Sequence, residues 1–546
     1  MPRRSLVVVL DGPPTPAWQA RALELLDRSP RLTVATVRPL GPCRLPAAVR
    51  LRDRVEQRLF GAGEEALAPV RVAARDGGEA ELTVWLAERT APPDGAATLL
   101  FRHGGRIEPA EEAVRRALGD GAAVLDSELL LRRADGTDEV VEVTVSGLRP
   151  FSATLTRDLL LWKLAAVAAR GAERAPARAS GVGAARAGAP GSRASAPPPV
   201  SSTPPDSPPP SDAAPAPPPI VPATLGAWLR GPATRLLCVR PWSIRLRERG
   251  PEPTAGWAAA GDGLVCWGDS PVYADPFLFE RDGRHHLFCE EVPAGAARGV
   301  ISHTELRSDG RPAEPPTPVL AAPHHLSYPF VFAYGGELWM LPETSAARRV
   351  ELYRATAFPY AWERAAVLLD DVDATDPTLL VHDGLLWLFA GVAARGASSL
   401  DELHLWWSER LSGPWRPHPR NPVVADVRGA RPAGPVQRWG ERLVRPGQDG
   451  SRRYGGALSF RAIETLTRSD YAEREVARLD PADLGDARAI HHYSADSRFE
   501  AVDLRRRELR VVRRARAVAL PLRGRSLRPP LVFAGRPVDR KGADGR

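Results

Sequence analysis

Lysine is nearly missing from this chain. Of 546 residues only Lys163 and Lys541 are lysine, while lysine and arginine together number 74. Arginine thus carries almost all the positive charge. Beside 56 prolines, 47 glycines and abundant alanine, this reads as compositional bias rather than selection for phosphate binding. Cysteine is scarce as well. Cys43, Cys238, Cys266 and Cys289 are scattered without CxxC spacing, which argues against a disulfide framework and a cysteine-based zinc site. No apolar run is long enough to span a bilayer. The opening MPRRSLVVVLDGPPTP holds only a short apolar run, Leu6 to Leu10, with no small-residue cleavage site after it. It reads as a buried first strand, and a cytoplasmic location is expected.

Charge is unevenly placed. Residues 501–546 hold 14 Arg/Lys against 4 Asp/Glu, a net of +10, whereas the whole chain is +8. Everything before residue 501 therefore sums to −2, and the basic character belongs to the tail. A solvated tail is the plain reading. An anionic membrane surface is the partner such a tail could touch, and no specific nucleic acid is expected.

Composition divides the chain. Residues 1–170 alternate strand-like runs (6–10, 32–37, 81–87, 97–101) with helical stretches from Trp18 to Leu26, Glu111 to Leu118 and Leu159 to Ala169. AVLDSELLLR and VVEVTV read as a hairpin, and the order suggests an α/β domain. Residues 171–222, almost entirely Ala, Pro, Gly, Ser and Arg, cannot bury a core and read as a disordered linker. Residues 223–520 form the third part, and 521–546 the basic tail.

The third part contains a repeat. A residue followed by proline opens each of four copies: Asp275-Pro276, Tyr328-Pro329, Asp376-Pro377 and Arg431-Pro432. Gly283, Gly336 and Gly384 follow eight residues later, and Gly440 nine later. Each copy is an apolar run, a glycine turn and a second apolar run, which predicts a β-hairpin. Openings 53, 48 and 55 residues apart, with one hairpin per unit, predict a propeller. The segment IHHYSADSRFEAVDL supplies a degenerate fifth blade, and a strand from Leu236–Val239 or Trp242–Arg245 would close the ring.

The first residues of the inner strands converge on a propeller's axis, so the opening residues should face one another. Proline is expected to hold the residue before it extended. Asp275 and Asp376 could serve as the two carboxylates that glycoside hydrolysis requires, or as repeated turn caps. Glu290, Glu291 and Glu343 end the second strands of blades one and two; strand alternation turns one of Glu290 and Glu291 inward and the other outward. Tyr328 could stack on a sugar. Arg431, Arg445, Gln448 and Asp449 form a polar group in blade four, where Arg431 could clamp a substrate anion or pair with Asp275 or Asp376. Of three His-His pairs, His325 and His491 are best placed to reach the axis. Adjacent strand residues cannot chelate one ion together, and no metal or cofactor is expected.

HLSYPFVFAYGGELWMLPE, ELYR, SGPWRPHPRNPV, ARPAG and RPGQD…YGGA resemble the N-terminal domain of plant glucosamine inositolphosphorylceramide transferases. That domain is similar to the five-bladed propellers of family-43 and family-32 glycoside hydrolases. The resemblance covers roughly residues 240–495. It implies carbohydrate binding or processing, with Asp275 as the first hydrolase aspartate, Asp376 as the second, and the acid among Glu290, Glu291 and Glu343. Tyr328 stands where a further aspartate would be expected. LDGPPTPAWQARALELL and TLTRDLLLWKLAAVAAR are similar to formyltransferase-like domains. There His103 and Asp126 would have to meet in one pocket, and no matching Asn precedes the His, so the domain reads as degenerate. The expected protein binds a glycan or sugar-phosphate in glycoconjugate assembly and hydrolyses or transfers a glycosyl unit. The alternatives are pure glycan recognition and formyl transfer to an amino-sugar nucleotide.

Overall fold

The computed structural model describes residues 3–176 and 238–509, apart from 42–46, 61–64, 78–79, 89, 91, 93–94, 240–241, 251, 258–263, 266–271 and 507. Most of the Pro/Ala-rich stretch and the basic tail lie outside the described residues.

The N-terminal domain is an α/β sandwich on a six-stranded sheet. Its strands are β1 (Arg4–Leu10), β2 (Leu32–Pro39), β3 (Leu82–Trp85), β4 (Thr98–His103), β5 (Val124–Arg132) and β6 (Asp138–Gly147). They run in the order β2-β1-β3-β4-β5-β6. The first four pair in parallel, whereas β4, β5 and β6 pair antiparallel. Helices α1 (Ala17–Arg28), α2 (Ala47–Phe60), α3 (Ala110–Gly119) and α4 (Ala153–Arg174) accompany them. Helix α2 is the element that apolar periodicity hid. Its sequence is rich in arginine, and it packs partly through charge: Asp53 and Glu111 flank the buried Arg157 guanidinium of α4 at 2.8 and 3.1 Å. Helix α4 also runs through residues 171–174, beyond the boundary expected from composition. Gly171 permits this, since a Cβ there would strike the Leu129 side chain.

The rest is a five-bladed propeller, each blade a four-stranded antiparallel sheet. The first strands of blades one to three are Val272–Arg281, Ser327–Tyr334 and Ala374–His382. Their glycine turns have positive φ at both central residues, Asp282-Gly283, Gly335-Gly336 and Asp383-Gly384, the conformation that two-residue hairpins require. Blade four begins its ladder late, at Gln437–Trp439, after the Arg431-Pro432 opening. Blade five joins the two ends of the ring. Tyr493–Ala495 pairs with Phe499–Arg505, which pairs antiparallel with Trp242–Glu248. The closing strand is thus the second of the two expected.

The two domains meet over a buried, charged seam. Lys163 of α4 reaches into blade three and lies 3.0 Å from Asp401, with both side chains almost fully buried. Arg170 bridges Glu142 of β6 and Glu402 of the propeller at 2.7 Å each. Around these pairs, the Val145 N–H donates to Ala425 O and the Val427 N–H to Val145 O. Trp162 packs over Gly396, where a side chain would collide with the indole.

Removing one member of a buried ion pair strands the other. Asp401→Ala should therefore destabilise the chain by about 3 kcal/mol, read as a lower denaturant midpoint. Replacing both partners, Lys163→Met with Asp401→Leu, should recover most of that loss.

Candidate functional site

The X-Pro openings sit at breaks in the ladders of blades one to three, between Ala274 and Phe277, Ser327 and Phe330, and Thr375 and Thr378. Their opening residues are not extended, as the following proline would suggest. Asp275, Tyr328 and Asp376 have φ of 50°, 48° and 52°, in the left-handed region. Such a conformation costs non-glycine residues on the order of 1–3 kcal/mol each. The compensation is visible. Each opening N–H, lost to the ladder, donates to a carboxylate of the preceding blade: Asp275 N to Asp503 Oδ2 at 3.2 Å, Tyr328 N to Asp275 Oδ2 at 3.1 Å and Asp376 N to Glu343 Oε2 at 3.0 Å.

Two charge clusters occupy the axis. In the first, Asp275 Oδ1 lies 3.1 Å from His491 Nε2 and 3.5 Å from His492 Nδ1. His491 Nδ1 lies 2.8 Å from Asp503 Oδ2, close but out of hydrogen-bond alignment. Asp503 Oδ1 also accepts from the backbone N–H groups of His491 and His492. Burial alone would lower the His491 pKa, but Asp503 and Asp275 outweigh it and hold it up at about 10. Burial would raise Asp275, yet hydrogen bonds from the two histidines keep it well below the usual carboxylate range. Asp275, His491 and Asp503 bring ligand atoms within 4.8 Å of one another, so this group could also hold a cation. A proton on His491 and an ion in the same space exclude each other.

In the second cluster, Arg431 clamps Asp376 with two contacts, Nε to Oδ2 at 2.6 Å and Nη2 to Oδ1 at 3.2 Å. Gln448 Nε2 adds a third bond to Asp376 Oδ2 at 2.9 Å. Glu343 Oε2 lies 3.6 Å from Arg431. Burial and the neighbouring Glu343 push the Asp376 pKa up and Arg431 pulls it down, while the two-contact geometry is that of a guanidinium–carboxylate pair. Beneath both clusters Tyr328 plugs the axis. It is fully buried, its hydroxyl shares a hydrogen bond with Thr378 at 2.6 Å and accepts from Gly434 N at 2.9 Å. Burial raises its pKa well above the ordinary phenol value, so it stays neutral and is closed to substrate.

The partly open rim differs. His325, whose side chain is 40% exposed, lies 3.2 Å from Glu290. Its Nδ1 accepts from Gly299 N, which leaves Nε2 to donate to Glu290. Burial raises the Glu290 pKa. Tyr454, 38% exposed, stands over the Arg431 guanidinium at 5.5 Å and packs against Trp242 and His491.

The remaining sequence candidates turn into their own blades. Glu291 accepts from Tyr273 and Ser302 while Glu290 faces the rim, which is the alternation expected of a strand. Arg445 is fully buried against Glu473 at 2.6 Å, and Asp449 pairs with Arg478 at 2.8 Å. Neither touches the axial carboxylates. Sequence reasoning missed Asp503, His492 and Tyr454. Asp503 carried a signal: it is a carboxylate inside an apolar run, AVDL, where burial demands a partner. In the N-terminal domain His103 bonds Ser127 Oγ at 2.8 Å, whereas the neighbouring Asp126 is exposed on the other face of β5. The pair needed for formyl transfer is not assembled.

The fold and site define a five-bladed β-propeller with a buried carboxylate–histidine–arginine axis. Residues 256–491 match the family described as glucosamine inositolphosphorylceramide transferase 1, N-terminal. The chain is similar to glucosamine inositolphosphorylceramide transferase 1 of Oryza sativa subsp. japonica, 36% identical over 239 residues, 42% of this chain and 32% of that protein. The Arabidopsis thaliana protein of that name is 35% identical over 210 residues, 38% of this chain and 27% of that one. The chain thus spans about a third of the length of these relatives. Among solved structures it is similar to a family 117 glycoside hydrolase from Zobellia galactanivorans, with TM-score 0.31, 13% identity, and 43% and 76% of the two chains covered. It is also similar to the catalytic domain of a Coprinopsis cinerea GH62 alpha-L-arabinofuranosidase, with TM-score 0.33, 12% identity, and 48% and 97% covered.

His491 makes stability depend on pH. Its folded pKa, about 10, lies above the ordinary 6.5, so its stabilising contribution is complete below about pH 6.5 and fades as pH rises through 10. The Tm difference between wild type and His491→Asn should be largest at or below pH 6.5 and shrink towards pH 10. An ion in the same space would reverse this: added zinc would raise the wild-type Tm most at high pH.

Proposed function

We propose that the propeller recognises a glycan or sugar-phosphate at its axial rim, in glycoconjugate assembly at the cytoplasmic side. One observation carries this reading: the two-contact Arg431 clamp, reinforced by Gln448, that occupies Asp376. Hydrolysis needs two carboxylates free to meet the substrate. Here Asp376 is taken by Arg431, and Asp275 by two histidines and the Tyr328 N–H. Both serve the architecture. Contact with a ligand falls to the rim, where Tyr454 offers an aromatic face and Glu290 offers a carboxyl group beside the partly exposed His325 ring. The match to a family named for a glucosamine transferase supports a sugar ligand.

A second reading, hydrolysis or transfer of a glycosyl unit, is favoured by Glu290. Its raised pKa suits a proton donor, and it lies beside a partly exposed histidine.

Glycan-array screening followed by calorimetry tests both. Tyr454→Ala should weaken the captured glycan about tenfold or more, roughly 1.4 kcal/mol, with Tm unchanged. Asp376→Ala should instead lower stability by about 3 kcal/mol, because it strands Arg431. Unchanged binding in Tyr454→Ala would remove the rim from recognition. Product release by wild type that is lost in Glu290→Gln would establish the second reading.

A further inference from the structure

The N-terminal domain has a site of its own. A cavity of about 380 Å³ opens there, lined among others by Trp18, Trp85, Glu88, Phe101, His103 and Glu112. It lies beyond the carboxyl ends of β3 and β4. From β1 the chain passes to β2 on one side, then returns to β3 on the other, so β1 and β3 flank a topological switch point. Open α/β sheets leave a crevice for ligands at that point, and the cavity opens beside it, lined from β3, β4 and Trp18 of α1.

The lining is chemically lopsided. Among its described lining residues there is no lysine or arginine. Three glutamates do contribute, and two of them are committed. Glu88 Oε1 accepts from Ala110 N at 3.0 Å, and Glu108 pairs with Arg116 at 2.5 Å. The Glu112 carboxylate has no such bond. It sits in the first turn of α3. The walls are the aromatic faces of Trp18, Trp85 and Phe101, which attract a cation.

A second, independent observation points to a ligand. Trp18 is 1% exposed, and its indole Nε1–H has no hydrogen-bond partner. An unpaired buried donor costs on the order of 1–3 kcal/mol, and indole N–H groups ordinarily find an acceptor when buried. Trp85 illustrates the norm, donating to Thr90 O at 2.9 Å. His103, held neutral by burial with a pKa of about 4, adds no positive charge to the wall.

We propose that this cavity binds an organic ammonium compound bearing a hydroxyl, its cation against Glu112 and the aromatic walls and its hydroxyl accepting from Trp18 Nε1. The inference concerns a different domain from the axial rim and stands apart from the glycan reading.

Calorimetric titration of the full chain with ethanolamine, choline and glucosamine tests it and separates a small acyclic amine, a quaternary headgroup and an amino sugar as the source. At least one should bind, and its uncharged counterpart (ethylene glycol, the carbon analogue of choline, or glucose) should bind at least tenfold more weakly. Glu112→Gln should lose tenfold or more, whereas Tyr454→Ala on the propeller should leave this binding intact. Trp18→Phe should weaken binding too; should that core variant unfold, the half-buried Glu112→Gln decides alone. No binding by any of the three amines, equal binding of the uncharged counterparts, or full affinity in Glu112→Gln would overturn the proposal.

Discussion

The propeller depends on one recurring bond, a carboxylate of one blade accepting the backbone N–H that opens the next. Asp503 holds Asp275, Asp275 holds Tyr328 and Glu343 holds Asp376. Each accepting oxygen belongs to a buried carboxylate, and hydrogen bonds to carboxylates are of the stronger, charge-assisted kind. The arrangement resolves two difficulties together. Proline at the second position cannot donate to the ladder, and the residue before it takes a left-handed turn. Both would weaken an ordinary strand. A carboxylate at the axis captures the freed N–H and offsets the backbone strain, and in doing so it ties neighbouring blades.

That bond then dictates the charges around it. A buried carboxylate needs more than one partner. Asp275 acquires the imidazoles of His491 and His492, and Asp503 anchors both histidine backbones. Asp376 acquires Arg431 and Gln448. The aromatic plug of Tyr328, Phe277 and His492 fills the space below, with ring centroids 4.6 to 5.1 Å apart. Among the described residues, polar groups accordingly crowd the axis. The seam to the N-terminal domain repeats the same economy of charge, with Lys163 and Arg170 each set against acidic partners.

Much of this architecture was legible in the sequence. Hairpin glycines eight residues beyond three X-Pro openings and nine beyond the fourth gave the blades, because the type of turn that joins twisted strands demands positive φ. Position at the start of the domain marks two segments as able to close the ring, Leu236–Val239 and Trp242–Arg245, and the second lies in the strand that does so. Helix α2 was not legible, because it owes part of its place to ion pairs with residues distant in sequence, such as Asp53 with Arg157. Nor was the axial partnership of Asp503, since nothing local says that an aspartate on the last strand will meet residue 275. The backbone at the openings was misread for a related reason. Proline's local preference for an extended predecessor is weak beside three buried charge-assisted bonds.

The four opening positions hold Asp, Tyr, Asp and Arg, and unequal filling of equivalent positions suggests a reaction centre. The contacts give that inequality another cause. Four equivalent side chains converging on one axis cannot all be aspartate without unbalanced buried charge, and cannot all be tyrosine without collision. Arg431 is the countercharge of Asp376, and the Tyr328 hydroxyl spans to Gly434 on the far side, where a Cβ would strike the Tyr493 carbonyl. Asymmetry at a propeller axis is therefore what mutual satisfaction requires, whether or not chemistry occurs there. The informative asymmetry lies one layer out. At the rim Tyr454 and His325 remain partly exposed although each already has a partner inside. Residues that the architecture has satisfied, yet leaves facing solvent, are the ones a ligand can still use.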